Sequence, residues 1–87
     1  MAKVELYTKG YCPYCKRAKA LLTSKAIVFT EYSLDTQPEL RDKMIERANG
    51  GYTVPQIFIN DQHIGGCDDM MALEMNNKLD TLLAASN

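Results

Sequence analysis

Val4-Glu5-Leu6-Tyr7-Thr8-Lys9-Gly10-Tyr11-Cys12-Pro13-Tyr14-Cys15 decides how this chain folds. The stretch Val4 to Thr8 is short, rich in strand formers and reads as a strand. Two cysteines separated by two residues follow. Cys15, Ala18, Leu21 and Leu22 then recur at helical spacing, with Lys16, Arg17 and Lys19 elsewhere around the helix. Ser24-Lys25 ends that helix. If Cys12 caps the helix, Cys15 lies one turn in and both sulfurs share a face. Their Cα separation then falls within the roughly 4.4–6.8 Å that a disulfide requires. A pair able to close and reopen a bond implies thiol–disulfide exchange.

The nucleophile of such an exchange is a thiolate. A cysteine at a helix N-terminus meets the positive end of the dipole and free backbone N–H groups. Lys9, Lys16 and Arg17 add positive charge nearby in sequence. Cys12 is therefore assigned as the attacking thiolate. Cys15 is the resolving thiol, expected to be less exposed and protonated. Pro13 fixes the first turn, where its missing N–H costs nothing.

The rest of the chain alternates strand and helix patterns. Ile27 to Leu34 reads as a second strand. Thr36-Gln37-Pro38-Glu39 reads as a helix start, with Thr36 capping and Glu39 reaching back. Leu40, Met44, Ile45 and Ala48 give that helix its apolar face, and Asn49-Gly50-Gly51 stops it. Gln56 to Ile59 is a third strand, Asn60-Asp61 a turn, and His63-Ile64 a short fourth strand. Gly65-Gly66 breaks the strand. Asp68 or Asp69 then caps a helix through Met70, Met71 and Leu73, and a last helix carries Leu79, Leu82 and Leu83. The order is βαβαββα plus a C-terminal helix. The first helix is long enough for a parallel crossover, and the last two strands should be antiparallel. The expected fold is α/β, a mixed four-stranded sheet with helices on both faces. Met70, Met71 and Met75 read as core packing, as do Phe29 and Phe58.

The 87 residues suit a single domain spanning 1–87. A hydrophobic fraction of 46% allows a real core. A net charge of −1, with no basic stretch interleaved with aromatics, argues against nucleic-acid binding. No apolar run approaches the roughly 18 residues of a membrane span. Met1-Ala2-Lys3 leads straight into the first strand with no signal-peptide pattern, so a cytoplasmic monomer is expected. Three cysteines is an odd count and argues against a secreted disulfide scaffold.

Strand, C-x-x-C, then helix is the context of a thioredoxin-like redox site. Cys12-Pro13-Tyr14-Cys15, Thr53-Val54-Pro55 and Gly65-Gly66-Cys67-Asp68-Asp69, in that order, resemble the dithiol C-P-Y-C type of the glutaredoxin family. The resemblance runs from Val4 to about Leu83 and implies a thioredoxin-like fold. It implies a glutathione-dependent oxidoreductase that reduces protein–glutathione mixed disulfides and protein disulfides. Glutathione is then the reducing co-substrate. Glutathionylated or disulfide-bonded proteins are the partners, with ribonucleotide reductase among the acceptors. The potential expected of the class is about −200 to −230 mV.

The resemblance also implies a glutathione site. A cis Val54–Pro55 bond would leave the Val54 N–H and C=O facing the Cys12 sulfur, with Thr53 beside them. An extended substrate can pair with such groups as an added strand. The helix opening near Asp68 offers N–H groups to a carboxylate, and the Asp68 side chain can take an ammonium. Gly66 allows close approach, and Cys67 contributes its backbone rather than its sulfur. Lys9 is expected to meet the glycyl carboxylate, Tyr14 to flank the sulfur, and Arg41 to assist.

Two other readings stand beside this one. A thioredoxin-like reductase fed by a flavoenzyme would carry W-C-G-P-C, and this chain has no tryptophan. A zinc set of Cys12, Cys15, His63 and Cys67 is conceivable from the residue types. Nothing in the pattern turns His63 toward Cys12, so no metal site is expected. Cluster binding resembles the C-G-F-S type instead.

Overall fold

The computed structural model describes residues 2–85. Met1, Ser86 and Asn87, at the two ends of the expected domain, lie outside the described residues. The order is β1 (Val4–Thr8), α1 (Pro13–Ser24), β2 (Thr30–Ser33), α2 (Leu40–Arg47), β3 (Gln56–Ile59), β4 (Gln62–Gly65), α3 (Cys67–Met75) and α4 (Leu79–Ala84). The sheet runs β2-β1-β3-β4. β1 is parallel to β2 and antiparallel to β3, and β3 is antiparallel to β4. The expected mixed α/β sheet is the observed one.

Alternation along the two central strands creates two cores. Leu6, Ile57 and Ile59 point to one face, where Ala18 and Leu22 of α1, Met70 of α3 and Leu79 of α4 pack. Tyr7 and Phe58 point to the other, against Met44 and Ala48 of α2. On that second face Glu5 is buried, its side chain 4% exposed, and the fold must satisfy its charge. Arg47 approaches both Glu5 oxygens, at 2.9 and 3.3 Å, and donates to the Tyr7 hydroxyl at 3.0 Å. The Tyr32 hydroxyl donates to Glu5 at 2.8 Å, and the Arg47 guanidinium lies 4.1 Å from the Phe58 ring centroid. This network ties α2 to β1, β2 and β3.

Three local expectations need correction. β2 begins at Thr30, not Ile27. Ile27 is engaged in ending α1: its N–H donates to Leu22 O at 3.0 Å, and Ala26 N–H to Thr23 O at 2.9 Å. That is a Schellman motif, with Ala26 at φ 57°. α2 begins at Leu40 without a side-chain cap, because the Thr36 hydroxyl bonds Ser33 O instead. Met75 is 83% exposed, while Met70 is buried. Phe58 is buried and Phe29 packs partly buried against the first core. Asn60 and Asp61, at φ 50° and 65°, make the two-residue turn that joins β3 to β4.

Topology brings the functional segments to one end of the sheet. β3 starts opposite the end of β1, Gln56 facing Tyr7. β4 ends opposite the start of β3, Gly65 facing Ile57. The segment after β1, the segment before β3 and the start of α3 therefore converge.

Candidate active site

Cys12 is the N-cap of α1, and Pro13 opens the helix. The cap is the sulfur itself: Cys12 Sγ accepts from the Cys15 N–H at 3.1 Å. As a thiol, Cys12 also faces the Val54 carbonyl at 3.6 Å. Cys15 lies one turn in and is 1% exposed, against 9% for Cys12. Burial first, and the hydrogen bond with Cys12 second, push the Cys15 thiol up to about 12. The two sulfurs are therefore unequal: one at the rim on a helix terminus, one enclosed and holding its proton. All three cysteines are free thiols.

A cleft of about 490 Å³ opens beside them, lined by Tyr14, Thr53, Val54, Pro55, Gly66, Cys67 and Asp68. These are seven of the residues picked from sequence. The Val54–Pro55 bond is cis. Cys67, buried at 3% exposure, has its thiol pushed up by burial. Gly66 is the N-cap of α3, and its N–H donates to Asp69 Oδ2 at 2.9 Å. Asp69, not Asp68, thus performs the capping expected of one of them. Asp68 stays exposed in the first turn of α3, without a hydrogen-bond or ion-pair partner among the described residues. The opening N–H groups of α3 lack intrahelical partners, as at any helix start. Gly65 is at φ 118°, and a Cβ there would run into the Asp69 carboxylate. Only glycine fits that turn.

Two of the residues picked from sequence, Lys9 and Arg41, stand outside the cleft lining. Lys9 is exposed. Lys16 shares a lining with Cys12, that of a smaller hollow of about 250 Å³ bounded also by Tyr11 and Pro13. Arg17 lies 5.7 Å from the Tyr14 ring centroid.

Gln56, His63, Gly65 and Asp69 also line the cleft and were not selected from sequence as site residues. The available signal was Gln56 itself, a polar residue in an otherwise apolar strand. His63 is turned to Gln56, Nε2 to Oε1 2.7 Å. Among the described residues no group of three or more His, Cys, Asp or Glu side chains is disposed to hold a metal ion. No helix among them is long and apolar enough to cross a membrane.

A C-x-x-C pair capping the first helix of a βαβαββα sheet, with unequal thiols beside a cleft, defines a thiol–disulfide oxidoreductase of thioredoxin-like fold. Comparison with known proteins narrows the class. The glutaredoxin family model matches residues 4–64. Glutaredoxin 3 of Escherichia coli is 58% identical over 83 residues, covering 95% of this chain and 99% of that protein. A glutaredoxin of Pseudomonas aeruginosa is 52% identical over 85 residues, covering 98% and 100%. The crystal structure of a buckwheat glutaredoxin–glutathione complex matches with a TM-score of 0.86 at 30% identity, covering 94% of this chain and 76% of that one. The chain belongs to the glutaredoxin family, and its activity is glutathione-dependent thiol–disulfide oxidoreduction.

Proposed function

We propose that Cys12 is the attacking thiolate, Cys15 the resolving thiol, and the adjoining cleft the glutathione site. The observation that carries this reading is the inequality of the two sulfurs. Cys12 caps α1 at the rim, and Cys15 is enclosed and protonated one turn below. Glutathione is a short peptide with two carboxylates and one ammonium. The γ-glutamyl carboxylate goes to the opening N–H groups of α3 at Cys67 and Asp68, with Gly66 giving close approach. The ammonium goes to the unpartnered Asp68 carboxylate. The cysteinyl backbone pairs with Val54, whose N–H has no partner among the described residues, beside Thr53 and Pro55. Tyr14 covers the sulfur. Lys16 lines a hollow with Cys12, and Lys9 remains the proposed partner of the glycyl carboxylate.

In the monothiol route the Cys12 thiolate attacks the glutathione sulfur of a protein–glutathione mixed disulfide. The Cys12–glutathione bond forms, and the protein thiolate leaves and takes a proton. A second glutathione thiolate attacks the Cys12-bound glutathione, releasing glutathione disulfide and the Cys12 thiolate. In the dithiol route Cys12 first forms a mixed disulfide with a protein cysteine. Cys15 loses its proton and attacks Cys12, the protein thiol departs, and two glutathiones reduce the Cys12–Cys15 bond. Glutathionylated and disulfide-bonded proteins are the proposed substrates, with ribonucleotide reductase as one acceptor by family resemblance. A single domain, a monomer and a cytoplasmic location are proposed on the same ground.

The test is reduction of a small glutathione mixed disulfide. Cys15→Ser should keep substantial activity while losing protein-disulfide reduction, and Cys12→Ser should lose both. A folded Cys15→Ser protein inactive on the small substrate would make both thiols obligatory and overturn the monothiol route.

A further inference from the structure

We infer that Gln56 and His63 form a positioning brace that aims the Val54 N–H into the cleft. The inference rests on the glutathione-site reading above and extends it to residues that do not touch the sulfur. Gln56 opens β3 and is 4% exposed. A buried primary amide must pair both its ends. Gln56 Nε2 donates to the Thr53 carbonyl at 3.0 Å and lies 3.4 Å from the Thr53 hydroxyl. Gln56 Oε1 lies 2.7 Å from His63 Nε2.

The direction of this chain of bonds is decided by its far end. A carbonyl only accepts, so the amide end at Thr53 O is the NH₂. Oε1 is then left facing His63, and His63 Nε2 must carry a proton. The imidazole is seated against Phe58, ring centroids 5.2 Å apart, and Phe58 is its partner across the β3–β4 ladder.

The consequence for the cleft follows from peptide geometry. The Thr53 carbonyl and the Val54 N–H belong to one peptide unit, and that unit is trans, the cis bond being the next one. A planar trans peptide points its N–H opposite to its C=O. A carbonyl tied back to Gln56 therefore directs the Val54 N–H outward, where the cysteinyl backbone of glutathione would pair with it. Neither Gln56 nor His63 hydrogen-bonds Cys12, so the brace bears on binding and not on bond exchange.

The chain has one histidine, so its imidazole nitrogens give an unambiguous ¹⁵N NMR signature. At about pH 8, where an ordinary histidine is neutral, the unaltered protein should show the Nε2–H tautomer, and Gln56→Leu should show a mixture. With a glutathionylated peptide as substrate, Gln56→Leu should raise KM about five- to tenfold, the value of one or two hydrogen bonds, with kcat changed less than about twofold. His63→Phe should raise KM, and His63→Gln, which keeps a donor, should bring it back. An Nδ1–H tautomer in the unaltered protein overturns the brace and needs no variant to fold. So does an unchanged KM in a Gln56→Leu protein of native melting temperature, provided Asp68→Asn raises KM. If neither Asp68→Asn nor Gln56→Leu raises KM, the glutathione-site reading beneath the brace falls with it.

Discussion

Burial holds the Cys15 proton in place at neutral pH, with its thiol pushed up to about 12. The resolving step needs the thiolate, whose fraction rises tenfold per pH unit well below that value. Dithiol reduction by the protein should therefore accelerate up to about tenfold per unit between pH 7 and 9. Cys15→Ser, acting on a glutathione mixed disulfide, should lack that dependence on Cys15. Stopped-flow release of the protein thiol would show it, and a plateau below pH 9 would contradict it. The same shift bears on stability. Native Cys15 holds its proton more tightly than the unfolded chain, so this contribution is full below the ordinary value of 9.0 and is lost as pH climbs toward about 12. At this scale the sequence was readable where function is local. Cys12, Cys15, Thr53–Pro55 and Gly66–Asp68 each lie in a short motif, and all reach one site. Lys9 does not line the cleft, and nearness along the chain does not say where a long side chain lies. Gln56 and His63 were missed because their pairing is created by the strand register, which no local spacing encodes.

Helix endings carry the main lesson at the scale of elements. α1, α2 and α3 each close with a residue in the left-handed region: Ala26, Asn49 and Asn77, at φ 57°, 55° and 57°. Each is followed by a bond back to the last turn: Ile27 to Leu22, Gly50 to Ile45, Lys78 to Leu73. Asparagine tolerates that conformation, and alanine does not. Ala26→Gly should therefore stabilise the protein by up to about 1 kcal/mol, the relief at Cβ being partly offset by the freedom glycine gains when unfolded. Thermal melting would check it, and a lower melting temperature would contradict it. Asn49-Gly50 was legible as a stop, but Ala26 carries no such signal. That is why the second strand was read as starting three residues early. The uncapped start of α2 escaped for a related reason: Thr36 had a nearer carbonyl to bond.

The whole molecule is held across its second face by a charge that no apolar pattern announces. Burial alone would raise Glu5, but hydrogen bonds from Arg47 and Tyr32 outweigh it and hold the carboxyl below its ordinary value. Its contribution to stability is therefore present above that ordinary value, near 4.5, and is lost as pH falls through the lowered one. Arg47→Leu leaves Glu5 buried without its cation and should cost about 3 kcal/mol, read as a lower urea midpoint. Glu5→Leu with Arg47→Leu should recover much of that loss, because two packed apolar side chains need no partner. The order of elements was legible from the β and α alternation, whereas the β2-β1-β3-β4 order within the sheet is set by long-range pairing. The pairing of Glu5 with Arg47, on elements far apart in sequence, was not legible either. The same strand order has a consequence during synthesis. β1 is made before β3, yet it sits inside the sheet and needs β3 as a neighbour. Cys12 leaves the ribosome about forty residues before the residues that build its cleft. At about 5–20 residues per second that is an interval of seconds. During that time both thiols of the future centre travel unshielded on a nascent chain, and their selectivity arrives only when the third strand does.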